Sequence, residues 1–301
     1  MTPPDSPKRF AVIGNPAAHS RSPFIHEQFA RQTDIRLAYG IIEAPTSEFN
    51  TVVRDFFHAQ GVGLNVTVPF KEQAWQLAQD GLTPRARAAG AVNTLWMQEG
   101  QLHGCNTDGV GLVNDLLRLG QTLHGRNILL IGAGGAARGV VLPLLTHGCA
   151  RLHIVNRTAD RAADLCEHMR AQMPPAGSRL SWGGLDETAG RWDMVINATA
   201  SSLSGAAPQV PPAIYAHATL AYDMMYGSRP TPFMHAATQY GAHQVADGLG
   251  MLVGQAAASF ALWHGVTPAV EPVLAALRAL LAEPAQDSDY APAHGQASQG
   301  S

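Results

Sequence analysis

The chain has 301 residues, 46% of them hydrophobic and 14% charged, a composition too apolar to remain unfolded and long enough for two hydrophobic cores without disulfides or metals. Lys and Arg number 20 against 23 Asp and Glu, a net charge of −3, which argues against a nucleic-acid partner because neutralising phosphates needs a basic surface. The scattered Cys105, Cys149 and Cys166 form no disulfide framework or ligand pattern, the histidines show no HxxxH or HxH pair, and no stretch reaches the ~18 apolar residues of a membrane span; the expectation is a cytoplasmic protein with reduced thiols, no metal and no membrane contact.

The opening MTPPDSPKRF lacks the apolar stretch of a signal peptide. Residues 10–13 read as a buried strand ending in the turn Gly14-Asn15-Pro16. Ser22-Pro23 opens a helix to about 32, with Pro in the first turn where it is tolerated. A strand over 37–42 precedes an amphipathic helix over 46–59, with Phe49, Val52, Val53, Phe56 and Phe57 on one stripe. Residues 63–68 read as a third strand cut off by Pro69, followed by a helix over 70–79. Residues 93–97 and 101–104 flank Gln98-Glu99-Gly100 as a hairpin. Strands alternating with helices imply a mostly parallel α/β sheet.

After a helix over 109–119 the pattern restarts: an apolar strand at 127–131, a glycine-rich turn, a helix to 147, a strand at 151–155, a helix at 158–169, and strands at 194–196 and 220–222. This βαβαβ series is the setting of a Rossmann-type nucleotide-binding domain. Helices over 252–263 and from Thr267-Pro268 to 281 have no strand of their own to cover and are expected to pack back on the first part of the chain. The tail 284–301 has almost no large apolar residue and is expected to be disordered.

The turn Gly132-Ala133-Gly134-Gly135-Ala136-Ala137 fits GxGxxG/A. Gly132 allows the tight turn, Gly134 lets a pyrophosphate approach the backbone, and the helix N-terminus favours an anion. A site for unphosphorylated ribose usually offers a carboxylate after the next strand. Here that strand ends Asn156-Arg157-Thr158, with Arg161 one turn on, which suits a 2′-phosphate and hence NADP(H). The bland reading, two solvated arginines, is weakened because cations are mildly unfavourable at a helix start.

In the segment 65–71, Asn65 and Thr67 share one face of a strand, Pro69 ends it, and Lys71 starts a helix; by residue type alone Lys71 reads as an ordinary exposed lysine. Asp108 is the nearest carboxylate in Asn106-Thr107-Asp108-Gly109 and reads equally as the N-cap of the following helix. Ser20 and Ser22, after the first strand, suit a carboxylate ligand, and Ser22 also reads as an N-cap.

Together these segments resemble the shikimate dehydrogenase family, in its bacterial monofunctional, NADP-dependent type: GNPxxHSxSPxxH from Gly14, NVTVPFK from Asn65, AGAVNT from Ala89, NTDGxG from Asn106, GAGGAxR from Gly132, NRTxxR from Asn156, NAT from Asn197, YDMxY from Tyr222 and DGLGMLVxQA from Asp247. The resemblance runs from about residue 9 to 283. It implies NADPH-dependent reduction of 3-dehydroshikimate to shikimate, a step of aromatic amino-acid biosynthesis. It also implies a discontinuous substrate domain, 1–108 with 248–283, and an inserted cofactor domain, 109–247, with the active site in the cleft. Ser20, Ser22 and Tyr226 would hold the substrate carboxylate, while Asn65, Thr67, Lys71, Asn93, Asp108 and Gln255 would line the ring. Gly132, Ala133, Gly134, Gly135, Ala136, Asn156, Arg157, Thr158, Arg161, Thr199, Met224 and Gly248 would hold the cofactor. One departure stands out: the loop after Asn197 is more often NATSxG in the family, and here Ala200 and Ser202 replace a hydroxyl and a glycine.

The chemistry asked of these residue types is proton transfer to the oxygen of a ketone that receives hydride; Lys71 is the candidate acid and base, Asp108 its partner. A quinate-oxidising sister enzyme and a non-catalytic NADP(H)-binding sensor are the alternatives. The first more often uses NAD, against which Asn156-Arg157 argue; the second should lack the Lys–Asp pair. The chain is expected to act as a monomer or homodimer.

Overall fold

The computed structural model describes residues 7–173 and 177–282; the expected tail lies outside the described residues. The first sheet holds β1 (Lys8–Gly14), β2 (Leu37–Glu43), β3 (Gly61–Val66), β4 (Thr94–Gln98) and β5 (Gln101–Cys105) in the order β2-β1-β3-β4-β5. Its first three strands are parallel and the β4–β5 hairpin adds antiparallel. One face is covered by α2 (Phe49–His58) and α3 (Lys71–Leu77), where Phe49, Val53, Phe56 and Phe70 pack on Ala11, Ile13, Leu64 and Val66.

α1 (Ser22–Thr33) lies on the other side with the two last helices, α9 (Leu249–His264) and α10 (Val270–Ala282). Ile25 and Phe29 of α1 join Val253, Phe260, Val273 and Leu277 in one buried cluster, and Phe10 of β1 stacks near Trp263 of α9, ring centres 4.9 Å apart.

The second sheet is wholly parallel: β6 (Asn127–Ile131), β7 (Arg151–Val155), β8 (Leu180–Gly183), β9 (Met194–Asn197), β10 (Leu220–Asp223) and β11 (Val245–Asp247), in the order β11-β10-β9-β6-β7-β8. Strand order reverses between β6 and β9, so ligands are expected outside the carboxyl ends of those strands. α6 (Gly135–Thr146) and α7 (Ala159–Gln172) bury Val140, Leu144, Leu165 and Met169 against Ile128, Leu130 and Ile154. On the opposite face α8 (Pro232–Gln239) contributes Phe233 and Ala237.

Two helices join the sheets. α5 (Asp108–Arg118) leaves β5 and runs along α9. A Cβ on Gly111 would lie 2.6 Å from the Met251 carbonyl oxygen, so only glycine lets these two backbones meet. α4 (Pro84–Ala89) crosses to α6 and α7, and His168 of α7 meets the Ala88 carbonyl at 2.9 Å.

Several expected boundaries move. β3 ends at Val66, because the Phe70 amide turns back to the Thr67 carbonyl and Pro69 has no N–H to extend the ladder. Thr67 still gives its amide to Ile13. α2 starts at Phe49 rather than 46, since the Glu48 amide bonds Pro45 in a turn. The sequence reading lacked α4, β8, α8 and β11, elements of three to eight residues, too short for periodicity to register.

Candidate active site

Lys71 is the first residue of α3, and its stem lies against the glycine-rich turn: a Cβ on Gly135 would sit 3.4 Å from Lys71 Cβ and 3.5 Å from its Cδ. Its Nζ reaches Asp108 Oδ2 at 2.6 Å, with the two side chains only 14% and 6% exposed. Lys71 is therefore not an ordinary surface lysine. Nor is Asp108 a helix cap. Thr107 occupies the cap position without a side-chain capping bond to the helix, Asp108 is the first residue of α5, and its carboxylate points away to Lys71 and to Asn93 Nδ2, at 2.9 Å from Oδ1. The Asp108 amide is held by Asn106 Oδ1 at 3.1 Å. A carboxylate in the first turn still gains from the positive end of the helix.

Asn93 is the centre of a buried polar layer. Its Nδ2 also donates to Thr107 Oγ1 at 2.9 Å and to Gln255 Oε1 of α9 at 3.2 Å, and its Oδ1 accepts the Thr107 amide at 2.9 Å. Beneath it, Asn65 donates to the Asn93 carbonyl, Thr94 and Ser259, and accepts from the Tyr39 hydroxyl at 2.6 Å. Asn65 thus enters as buried support with its amide already engaged. Burial pushes the Tyr39 hydroxyl well above its ordinary pKa, a hydrogen bond with Ser22 pulling the other way.

The loop after β1 is shaped by Glu43, at the end of β2, which accepts the Ala17 and Ala18 amides at 2.7 and 2.9 Å. Those amides hold its carboxyl below the usual range, Ala17 first. Ser22 is buried in the first turn of α1 rather than capping it; Arg21 takes the cap position. Ser20 Oγ accepts the Ser22 amide at 3.3 Å and lies 3.1 Å from Ser22 Oγ, so the two hydroxyls stand together. Half-buried Tyr226 packs on the cluster of α1, α9 and α10. Burial raises its hydroxyl pKa, with Arg21 opposing. Thr67 packs over Gly14.

Across the cleft, β6 runs into Gly132 at φ 112° and α6 begins at Gly135 with no side-chain cap. A Cβ on Gly134 would meet nothing within 4 Å. Open space beside uncapped helix amides fits the phosphates of a dinucleotide, and a side chain there would fill that space. Past β7, Asn156 Nδ2 donates to the Thr158 carbonyl at 2.9 Å. Arg157, Thr158 and Arg161 are exposed, and neither arginine pairs with a carboxylate among the described residues. Beyond β9, Thr199 Oγ1 donates to Asn197 Oδ1 at 2.7 Å. Gly248 abuts Met224, whose carbonyl oxygen would be 2.2 Å from a Cβ there.

Sequence reading missed Glu43, Tyr39, Thr94, Thr107 and Ser259. Only Ser259 left a signal, a hydroxyl within the apolar run of α9. Among the described residues no helix is long and apolar enough to cross a membrane, and no cluster of three or more His, Cys, Asp or Glu could hold a metal.

A parallel sheet with a glycine-rich turn at its switch point, facing a buried lysine–aspartate pair at the starts of α3 and α5, defines a dinucleotide-dependent oxidoreductase. Residues 12–95 match the shikimate dehydrogenase substrate binding domain, 116–205 the shikimate / quinate 5-dehydrogenase family and 248–278 the shikimate 5′-dehydrogenase C-terminal domain. The chain is 60% identical over 275 residues to the shikimate dehydrogenase (NADP(+)) of Bordetella petrii, covering 91% of this chain and 96% of that protein. It is 58% identical to that of Bordetella avium, over 94% of this chain and all of the relative. Shikimate 5-dehydrogenase from Thermus thermophilus, solved with NADP(H) and shikimate, superposes with a TM-score of 0.80 at 32% identity, over 91% of this chain and 100% of that one. The chain belongs to the shikimate dehydrogenase family.

Proposed function

We propose that this chain catalyses the reversible NADPH-dependent reduction of 3-dehydroshikimate to shikimate, with Lys71 as acid and base. The observation that carries this reading is the Lys71–Asp108 contact of 2.6 Å, built at the starts of α3 and α5, with the Lys71 stem against the glycine-rich turn. When bound, the dinucleotide supplies a hydride to the ketone carbon of the substrate. The chain's own residues manage the proton and the alignment. The Lys71 ammonium polarises the ketone oxygen and gives it a proton; in the reverse direction the amine takes that proton back. Asp108, bonded to both Lys71 and Asn93, fixes Nζ and accepts from a neighbouring ring hydroxyl. Asn93, Gln255 and Thr67 contact the remaining hydroxyls, and Asn65 backs them from below. Ser20, Ser22 and Tyr226 hold the carboxylate. Gly132, Ala133, Gly134, Gly135 and Ala136 take the pyrophosphate, and Asn156, Arg157, Thr158 and Arg161 the 2′-phosphate. Thr199, Met224 and Gly248 lie toward the nicotinamide.

In this reading residues 1–108 and 248–283 form the substrate domain and 109–247 the cofactor domain, in a cytoplasmic monomer or homodimer. The free, buried Cys105, Cys149 and Cys166 accord with a reducing compartment. The test is turnover by purified protein with 3-dehydroshikimate or 3-dehydroquinate and NADPH or NADH. Fast turnover with the 3-dehydroshikimate and NADPH pair is expected. Preference for 3-dehydroquinate or NADH, or NADPH binding without turnover, would contradict it.

A further inference from the structure

The loop after β9 holds a hydroxyl that neither the mechanism nor the sequence motifs use. Asp223, the last residue of β10, is fully buried. Its Oδ1 accepts from Asn197 Nδ2 at 2.9 Å and the Met225 amide at 3.0 Å, and its Oδ2 from Ser202 Oγ at 2.6 Å and Thr231 Oγ1 at 2.7 Å. Neutral donors thus stabilise a buried carboxylate that has no ion-pair partner among the described residues. They come from separate places: the end of β9, the loop behind it, the segment after β10, and Thr231, which also caps α8 by accepting the Met234 amide at 3.2 Å.

One arm of this junction borders the glycine-rich turn, and the other leads to Gly248, which the proposed function sets toward the nicotinamide. On one arm, a Cβ at Gly132 would lie 3.1 Å from Thr199 Cγ2 and 3.2 Å from the Ala198 carbonyl carbon, so the loop after β9 forms a wall of the turn. Thr199 and Ser201 share a hydroxyl contact of 2.8 Å within that loop. On the other arm, Asp223 holds the amide of Met225, whose carbonyl accepts the Gly248 amide at 3.0 Å. Among the described residues, the other side-chain bond from this arm to Asp223 comes from Asn197 at the root of the loop.

We propose that Ser202 is a positioning residue for the dinucleotide: its bond to Asp223 locks the loop after β9 onto the segment after β10, so that two walls of the cofactor site are set before the ligand arrives. Pre-ordering removes a cost otherwise met on binding. The inference rests on the reading that this end of the second sheet takes NADP(H). Glycine, which the family resemblance leads one to expect at position 202, has no donor for this bond.

The experiment measures the NADPH dissociation constant of the full chain by equilibrium fluorescence titration, without turnover, for wild type, Ser202→Ala and Ser202→Thr. Melting temperature, kcat and the KM for shikimate are measured alongside. Ser202→Ala is expected to weaken NADPH by about 5- to 10-fold, less than the full worth of a hydrogen bond to a charged acceptor because only the pre-ordering of the loop is lost. Its kcat at saturating cofactor and its KM for shikimate should stay near wild type. Ser202→Thr keeps the hydroxyl and should restore most of the affinity. Unchanged NADPH affinity in Ser202→Ala, or equal weakening in the Ala and Thr variants, overturns the inference while leaving the proposed function standing. A wild-type chain that binds no NADPH overturns both.

Discussion

Lys71 and Arg157 are both cations near the carboxyl ends of strands, one on each sheet, and the protein treats them differently. Lys71 is mostly buried, its charge met by Asp108. Asp108 is met by Asn93, and Asn93 by Thr107 and Gln255. Arg157 stands exposed beside a helix start, with no carboxylate answering it among the described residues. The difference follows from burial. An unpaired charge in the interior costs free energy that folding must recover, so the cluster around Lys71 meets its charges and amides within the protein. Water covers the same omission at the surface, so Arg157 and Arg161 can stand with open donors, as the proposed 2′-phosphate site requires. The Lys71 charge is answered inside the protein, whereas the charges of Arg157 and Arg161 face solvent.

If that contrast holds, damage on the two sides should differ in kind. The largest effect is expected from Lys71→Ala, which should lower kcat by ~10²–10⁴-fold while NADPH affinity persists; steady-state kinetics and a fluorescence titration check both halves. Asn93→Ala removes the hub of the buried layer and strands its partners. It should lower stability by ~1–3 kcal/mol in denaturant unfolding, beyond any loss of rate.

A third test uses pH. His26 stacks on Tyr39, ring centres 4.3 Å apart, behind Asn65. Burial, and then the charge of His264, push its pKa down to about 3, with Asn65 pulling the other way. The folded imidazole is therefore neutral, whereas the unfolded one titrates near its ordinary 6.5. This group leaves stability untouched above pH 6.5 and erodes it as pH falls from 6.5 toward 3. The loss from His26 should reach ~2 kcal/mol by about pH 5, and His26→Phe should flatten the stability profile in that window. An unchanged profile would mean that the buried ring is not what makes the first region acid-sensitive.

The smallest free-energy effect is expected on the open side. Replacing Arg157 and Arg161 together by Gln should raise the KM for NADPH by ~10-fold, about 1.4 kcal/mol, and leave NADH and the melting temperature nearly unchanged. A drop in stability as large as that of Asn93→Ala would erase the contrast.

How far the sequence reveals these regions follows the same division. The glycine-rich turn is legible because its logic is local: apolar strand, glycines and helix start are contiguous from 127 to 146. Arg157 and Arg161 are legible for the same reason. Lys71 and Asp108 are 37 residues apart and meet only because β4 and β5 return the chain beside β3. By residue type each has a bland reading, and the family resemblance alone singled them out. Asn65 and Thr67 were expected to share a face, but covering by α9 turned Asn65 into buried support, bonded to Ser259 at a separation of 194 residues. No local pattern announces such a partner.

The most direct test of the central claim is a double-mutant cycle on kcat with Lys71→Ala, Asp108→Asn and the pair, with the NADPH dissociation constant measured for each protein. Asn is the cleaner replacement, since it keeps the volume of Asp108 but removes its charge and one of the two oxygens that accept from Lys71 and Asn93. The account predicts that the double variant is little slower than Lys71→Ala alone, because the two groups act as one unit, and that NADPH affinity is retained throughout. Additive losses, or a Lys71→Ala protein within about 3-fold of the wild-type rate, would contradict it.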